Sequence, residues 1–374
     1  MSDMKNNDDD DDDSDLIRIS KLFIHPIKSF KAVEVNSSKV TKCGLEFDRA
    51  FCVIDKETGD FISQRTCPLM ALVEVSFTSN VIDYINNNNN FCDDEEDDTD
   101  TEQSFMILKS ANCVDELRIP LKAKGEEEDC EVTVWDYCGV HKQESDEINE
   151  WIAQAIDYPQ AKLVRWVGNH AIPERFNRNV SSKDKESRPR RSLDEKFVGK
   201  GYKGETAFSD GYPILLCSEN SLQDLQNRVI MGKKLFSLAG SEVKMNRFRP
   251  NIVVSGAKEW IEDKWSSIET TTSSKIAFDL VKPCSRCTIP DINQETGIFD
   301  KTREVSRALQ KFRSGAVLGS ETPTWQQEIF FGWNLVYKEQ QQQQQKVERD
   351  PRISVGDVIK VTAFRTTQKP STFM

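Results

Sequence analysis

The stretch Phe278-Asp279-Leu280-Val281-Lys282-Pro283-Cys284-Ser285-Arg286-Cys287-Thr288 joins an apolar strand directly to a pair of cysteines. This spacing admits three interpretations: half of a zinc site, a redox pair, or two small core residues. Zinc needs four ligands, yet the chain has no second Cys-x-x-Cys, and His25, His141 and His170 are scattered. A thioredoxin-like pair is disfavoured because the motif follows a strand and opens no predicted helix. The motif alone therefore leaves two ordinary core cysteines as a full alternative.

Polar residues elsewhere in the chain favour a metal beside an anionic cofactor. Arg286 lies next to Cys287 and favours its thiolate, the form that binds soft metals. Cationic and amide side chains that suit phosphates and polar heterocycles come at predicted strand ends or turns. They are Lys28, Ser29, Arg49, Arg249 and Asn251. Each of them taken singly could equally be an ordinary surface or capping residue.

Length and composition indicate a folded protein interrupted by polar tracts. A chain of 374 residues has room for two domains. Its hydrophobic fraction of 37% is low, and much of the shortfall lies in polar tracts. These are Asp8–Asp13, Asn86–Asn90 with Asp93–Asp98, and Gln340–Gln345. Such tracts bury too little apolar surface to offset the entropy of ordering them, so we expect disordered tails and loops.

The net charge of -12 argues against a nucleic-acid surface as the main activity. The exception is the basic segment Lys183–Lys200, which is either a solvated loop or a mobile lid or docking patch for an acidic partner. The ten cysteines are scattered, and no signal peptide or apolar run of about 20 residues is present. The acidic N-terminus has the wrong sign for a mitochondrial transit peptide. We therefore expect a soluble, cytoplasmic protein with reduced thiols and no integral membrane segment.

Hydrophobic periodicity predicts many short strands and a few helices. Alternating or apolar runs predict strands at Ile19–Ile24, Ala50–Asp55, Leu72–Phe77, Phe105–Leu108, Cys130–Trp135, Leu163–Val167, Ile214–Cys217, Arg249–Val254, Phe278–Val281, Asn334–Tyr337 and Val358–Thr362. Helices are predicted after Ser145, after Ser218 and over Glu304–Phe312. This pattern favours an α+β fold, mostly β and β-barrel-like, over a doubly wound sheet.

Several short motifs together resemble one family. In the first half they are Ile24-His25-Pro26-Ile27-Lys28-Ser29, Gly44–Phe51 and Ser63-Gln64-Arg65; in the second half they are Ala207-Phe208-Ser209-Asp210, Phe248-Arg249-Pro250-Asn251, Cys284-Ser285-Arg286-Cys287, Thr296-Gly297 and Phe331-Gly332. Their order and spacing are similar to those of the MOSC-domain proteins, in particular the mitochondrial amidoxime-reducing component branch. The resemblance covers about residues 17 to 361.

The resemblance implies an N-terminal MOSC β-barrel domain followed by a MOSC domain with a few helices. The expected divisions are a disordered acidic tail at 1–16, the barrel domain at 17–160 with a disordered insertion at about 86–102, a connecting basic segment at 161–205, the MOSC domain at 206–364 with a Gln-rich insertion at 339–347, and a tail at 365–374.

The same resemblance implies a molybdenum–molybdopterin cofactor. Cys287 matches the cysteine that binds the molybdenum. Lys28, Ser29 and Arg49 match positions that bind the pterin and phosphate, Arg249 and Asn251 match further cofactor contacts, and Ser285 and Arg286 lie beside the metal ligand. Gly211 and Asn334 depart from the residues that relatives carry at two cofactor contacts. Cys284 has no metal role in the family, so we expect it to pack or to support the site.

The activity implied by the family is reduction of small N-hydroxylated compounds. Electrons would come from a separate donor protein, such as cytochrome b5 with its reductase, because the chain has no cysteine set for a [2Fe–2S] cluster and no nucleotide-binding glycine motif. The alternative is a molybdenum cofactor carrier or sulfur-transfer module, like the C-terminal part of molybdenum cofactor sulfurase. No pyridoxal-phosphate desulfurase domain would fit in this chain, which disfavours that alternative.

Overall fold

The structure is a computed structural model that describes residues 16–87, 104–123, 125, 127–135, 137–167, 206–232, 242–271, 275–338 and 351–365. The acidic tail, the basic segment Lys183–Lys200 and the glutamine tract lie outside the described residues. The predictions made for them therefore stay predictions.

The described part of the chain is mostly β, as predicted. The strands are β1 (Arg18–Ile24), β2 (Val33–Val35), β3 (Ser37–Thr41), β4 (Gly44–Leu45), β5 (Phe51–Asp55), β6 (Glu74–Phe77), β7 (Phe105–Lys109), β8 (Leu117–Pro120), β9 (Asp129–Val134), β10 (Tyr137–Gln143), β11 (Ala161–Arg165), β12 (Ile214–Ser218), β13 (Ile252–Ser255), β14 (Trp265–Thr270), β15 (Ala277–Ser285), β16 (Phe330–Tyr337), β17 (Arg352–Ser354) and β18 (Ile359–Phe364). The helices are α1 (Ser79–Asn87), α2 (Asp146–Ala155), α3 (Glu219–Gly232), α4 (Glu304–Phe312) and α5 (Pro323–Gln326). The predicted α+β, mostly β fold class is confirmed.

One large sheet combines strands from both ends of the chain. Its order is β18-β14-β15-β16-β12-β13-β1-β2, and only the β12–β13 pair is parallel among the described pairs. β1 pairs antiparallel with β13, so a strand near the N-terminus is built into the sheet of the second half. Its central strands β12, β13 and β16 are runs of buried, mostly apolar residues, as expected for strands covered on both faces.

Smaller sheets carry the remaining strands of the first half. They have the orders β5-β11-β10-β9, β17-β3-β4 and β6-β7-β8. β11 pairs with both β5 and β10, so the predicted division after residue 160 falls just before a strand of this sheet. The other domain limits stay predictions.

Several local expectations are corrected by the structure. At the start of the tract predicted as a disordered insertion at about 86–102, Asn86 and Asn87 complete α1, and the Asn86 side chain accepts a hydrogen bond from the backbone of Asn36. The strand predicted from Arg249 starts at Ile252, since Pro250 has no N–H to donate to a ladder. The strand predicted to stop at Val281 continues to Ser285 as β15.

Candidate active site

A pocket of about 220 Å³ opens where several strand ends of the large sheet meet loops of the first half. All eight residues predicted for the cofactor site line it: Lys28, Ser29, Arg49, Arg249, Asn251, Ser285, Arg286 and Cys287. Gly211 and Asn334, the two departures from the family pattern, line it as well, and so does Cys284. Lys28 and Asn334 lie 306 positions apart in the sequence, so it is the tertiary fold that brings these residues together.

The antiparallel pairing of β1 and β13 explains much of this convergence. Leu22 pairs with Ile252, which sets the end of β1 beside the start of β13. The loop after β1 carries Lys28 and Ser29, and the residues before β13 include Arg249 and Asn251. Strand pairing alone therefore brings two distant motifs to one edge of the pocket.

The side chain of Asn251 holds this edge together. It is almost fully buried, and its Nδ2 donates to the carbonyl of Phe23 at 3.2 Å. Its Oδ1 accepts from the backbone of Leu215 in β12 and from Arg49 Nη1, both at 3.1 Å. Because these bonds use its amide within the protein, Asn251 positions Arg49 and three strands.

Arg49 is fixed from both sides. Its Nη1 donates to the buried carboxylate of Asp48 at 2.5 Å, and its Nη2 donates to the carbonyl of Arg249 at 3.2 Å. Burial raises the pKa of Asp48, although the neighbouring Arg49 charge opposes that rise. The pair orients the guanidinium at the pocket wall.

Three of the predicted site residues have left-handed backbones. The φ angles are 73° at Ser29, 49° at Arg49 and 57° at Arg249. Non-glycine residues adopt this region uncommonly, and such strain persists where the surrounding structure requires it, often at ligand sites. Ser29 is held in part by Gln64, whose Nε2 donates to the Ser29 carbonyl at 2.7 Å.

Arg249 carries a buried positive charge that the protein compensates poorly. Its Nη1 donates to the carbonyl of Phe30 at 2.7 Å, while its buried Nη2 has no hydrogen-bond partner among the described residues. Burial, and next the charge of Arg49, lower the pKa of Arg249 to about 9. An anion in the pocket would supply the missing partner.

Lys28 is the second nearly buried cation of the pocket. Its Nζ donates to the carbonyl of Phe208 at 2.8 Å and to Asp210 Oδ1 at 2.5 Å. The Lys28 side chain is 8% exposed and that of Asp210 is 68% exposed. The ammonium thus lies inside the pocket while its acidic partner is at the solvent boundary.

The cysteine motif enters the pocket through two irregularities of the β15–β16 pairing. The register shifts between Leu280 and Lys282 and again between Pro283 and Ser285. Such bulges bend a strand and redirect its side chains. After the first shift Lys282 and the residues Cys284 to Cys287 line the pocket, whereas Pro283 lines a separate small cavity.

The two cysteines of the motif differ in environment. Arg286 Nη1 lies 2.9 Å from Cys284 Sγ, and its Nη2 donates to the carbonyl of Phe248 at 2.7 Å. Cys287 is exposed in the pocket, whereas Cys284 is half-buried. The short contact of Arg286 therefore goes to Cys284, and its support of the Cys287 thiolate stays a prediction.

The positive charge of Arg286 nevertheless interacts with all three nearby cysteine sulfurs. Burial by itself lowers the pKa of Arg286, but the negative charge that Cys284, Cys217 and Cys287 carry as thiolates raises it above the usual value. Its buried Nε lacks a hydrogen-bond partner within the described ranges. The guanidinium stays cationic and leaves the Cys287 sulfur accessible from the pocket.

The pocket is strongly cationic in an acidic chain. Its described lining contains six cationic side chains and one carboxylate, that of Asp210. Arg65 and Lys282 belong to these cations but were not predicted as site residues, although both lie within or beside quoted motifs. Ser209 was missed too, and its buried Oγ has no hydrogen-bond partner in the described part of the chain.

These features fit an anionic cofactor bound through one soft ligand. Unpaired donor atoms on Arg249, Arg286 and Ser209 offer hydrogen bonds to an anion. Cys287 offers one accessible sulfur. No cluster of three or more His, Cys, Asp or Glu side chains suited to a metal occurs among the described residues, so an all-protein metal site has no counterpart in them.

None of the described helices is long and apolar enough to cross a bilayer.

Comparison with known proteins matches two domain families. Residues 16–159 match the MOSC N-terminal beta barrel domain, and residues 203–360 match the MOSC domain. Mitochondrial amidoxime reducing component 2 is 28% identical over 301 residues in Bos taurus and 26% identical over 302 residues in Homo sapiens, each covering 79% of this chain and 72% of the relative.

Molybdenum cofactor sulfurase of Arabidopsis thaliana is 25% identical over 300 residues. That match covers 79% of this chain but 31% of the sulfurase, so the chain spans about a third of that relative. The two domain matches, taken with the order of motifs around one pocket, place the chain in the family of MOSC-domain proteins.

Proposed function

We propose that this protein is a molybdenum-cofactor-dependent oxidoreductase that reduces small N-hydroxylated compounds. The observation that carries the proposal is the pocket itself. Within the part of the chain that the structure describes, six cationic side chains surround one exposed cysteine, and buried donors on Arg249 and Arg286 have no partner. Relatives named amidoxime reducing components support the substrate class.

Different residues of the chain would bind different parts of the cofactor. When bound, a molybdenum cofactor supplies the two-electron chemistry that removes oxygen from an N-hydroxyl group. Cys287 would bind the metal. Lys28, Arg49 and Arg249 would neutralise the anionic portion, and Ser29, Ser285, Arg286 and Asn251 would hold or position the remainder.

A separate donor would return the two electrons after each turnover. We propose a heme or flavin protein of the cytochrome b5 and reductase kind. Cationic residues at the pocket, including Arg65 and Lys282, would favour an acidic donor surface.

A cofactor carrier or sulfur-transfer module is the second candidate. The match to molybdenum cofactor sulfurase favours it. The two candidates differ in turnover: a reductase consumes N-hydroxylated substrate with donor electrons, whereas a carrier loads and releases the cofactor or its sulfur without doing so.

The proposal is tested by producing the protein in a host that makes the cofactor. Bound molybdenum and pterin are measured, and benzamidoxime reduction is assayed with cytochrome b5, its reductase and NADH. Cys287→Ala should lose bound molybdenum and activity while its circular dichroism stays that of the wild type. Cys284→Ala is the matched control and should retain molybdenum.

Three results would count against parts of the proposal. Wild-type protein that purifies without molybdenum would reject cofactor binding. Wild-type protein that carries molybdenum but reduces no N-hydroxylated compound would favour the carrier. A larger metal loss in Cys284→Ala than in Cys287→Ala would reject Cys287 as the ligand.

The cellular location stays a prediction. The cytoplasm was expected from the sequence, whereas the relatives are named mitochondrial. Cell fractionation with antibody detection would decide between the two.

A further inference from the structure

Trp135 is an exposed aromatic residue next to the pocket rim. It is 48% exposed, which is unusual for a tryptophan. It does not belong to the pocket wall, but it contacts three residues that do: Phe61, Arg65 and Asp210.

The backbone of Trp135 breaks a local rule. Val134 of β9 pairs with Tyr137 of β10, so Trp135 comes directly after β9, where the chain leaves the hairpin ladder. Its φ is 53°. Tight hairpin loops with positive φ strongly favour Asn, Asp or Gly, and a bulky residue there is a genuine outlier. A residue that violates local preference is expected where function requires it.

Three contacts orient the indole ring. The Phe61 ring centroid lies 5.2 Å away, and the Arg65 guanidinium stacks 4.3 Å from the ring centroid. The indole Nε1 donates to Asp210 Oδ1 at 3.0 Å, and the same oxygen accepts from Lys28. The ring is therefore held in place beside the solvent boundary of the pocket, and its position is coupled to a cationic side chain of the site.

We propose that Trp135, with Phe61, forms an aromatic subsite that selects N-hydroxylated substrates with a planar aromatic ring. The proposal rests on the function proposed above and adds a specificity-determining residue to it. An aryl group packing on the indole would lie outside the cationic pocket, with its N-hydroxyl group directed inward. Offset or edge-to-face ring contacts stabilise such a pair beyond its buried area.

The hairpin offers a substitution that removes the ring without harming the turn. Trp135→Asn places a residue that tolerates positive φ at the strained position, and this gain offsets the loss of the three ring contacts, so the fold should be about as stable as the wild type. Trp135→Phe keeps an aromatic ring. Phe364→Asn removes another exposed aromatic residue that does not line the pocket and serves as the control.

Two substrates with the same reacting group separate the ring from the chemistry. Benzamidoxime carries a phenyl group and acetamidoxime carries a methyl group in its place. In Trp135→Asn, KM for benzamidoxime should rise roughly 3- to 10-fold, the range expected for a lost ring contact. KM for acetamidoxime, bound molybdenum and the melting temperature should stay at wild-type values. Trp135→Phe should recover most of the benzamidoxime affinity.

Other outcomes overturn the proposal. An equal change of KM for both substrates would assign Trp135 to the support of the pocket. A change only in the KM for cytochrome b5 would assign it to docking of the donor protein. Failure of the proposed function would show separately, as wild-type protein without molybdenum or turnover. Equilibrium binding of benzamidine to the wild type and to Trp135→Asn would then still test the aromatic subsite, and equal affinities would reject it.

Discussion

Replacing Arg249 with methionine should stabilise the cofactor-free protein but weaken its retention of the cofactor. The Arg249 residue as a whole is half-buried, but its Nη2 is buried and has no partner among the described residues; burial together with the charge of Arg49 lowers its pKa to about 9. A site prepared for an anion holds a charge that destabilises the protein while no anion is bound. Methionine has a similar length and carries no charge, so it removes this destabilisation.

The size of the expected gain in stability follows from the lowered pKa of Arg249 and from the one hydrogen bond that the substitution removes. A fall from 12.5 to about 9 corresponds to about 5 kcal/mol at ~1.4 kcal/mol per pKa unit. The carbonyl of Phe30 loses its donor, at a cost of roughly 1–3 kcal/mol. A net stabilisation of about 2–4 kcal/mol should raise the melting temperature of cofactor-free protein by roughly 4–8 °C. Cofactor retention should fall about 10- to 100-fold, since a charge-assisted bond is lost.

The assay compares protein from two hosts. Thermal unfolding is measured on protein from a host that cannot make the cofactor, and molybdenum content on protein from a host that can. Arg247→Met is the matched control, because Arg247 is also buried but lies outside the pocket wall and has Asp300 and Asp291 nearby. It should lower the melting temperature and leave molybdenum content unchanged. Arg249→Met with a lower melting temperature and full molybdenum content would refute the reasoning.

Three further predictions concern stability. Burial raises the pKa of Glu262 to about 7, so the folded state keeps a proton that the unfolded state releases above about pH 4.5. Stability should therefore fall as the pH rises from about 4.5 to 7. Thermal unfolding of Glu262→Gln between pH 5 and 8 should lack this fall, and a melting temperature that falls with pH as in the wild type would contradict the prediction. Gly332 has a φ of 79°, and a Cβ added there would lie 2.7 Å from Cys217 Sγ. Gly332→Ala should therefore lower the free energy of unfolding by roughly 2 kcal/mol or more, measured by urea unfolding. A variant as stable as the wild type would argue against this crowding. The side-chain amides of Gln64 and Gln294 donate to each other at 3.0 and 2.9 Å. Gln64→Leu should lower the free energy of unfolding by about 1–3 kcal/mol, and the double change with Gln294→Leu should lower it by less than the sum of the two single changes. Strict additivity in the urea midpoints would show that the pair is not coupled.

Much of the fold could be predicted from local patterns. Glu304–Phe312 is helical as predicted, and β1, β7, β9 and β12 lie within a residue or so of their predicted limits. These elements have strong periodicity and clear end signals, so their sequence is sufficient. β14 and α1 were missed, because Trp265–Thr270 lacks alternation and the asparagines of α1 favour loops when taken alone.

The sequence by itself determined the family, the mostly β fold class and the set of polar residues around the cysteine motif, because residue types and their order are local information. The tertiary structure alone decided what surrounds each of them. Pairing of β1 with β13 depends on residues more than 200 positions apart, and it brings Lys28 beside Arg249 at one pocket. Burial makes the charge of Arg249 uncompensated, and the bulges of β15 direct Arg286 to Cys284 and leave Cys287 exposed. Solvent exposure and non-local contacts set these properties, so no reading of the motif alone could supply them.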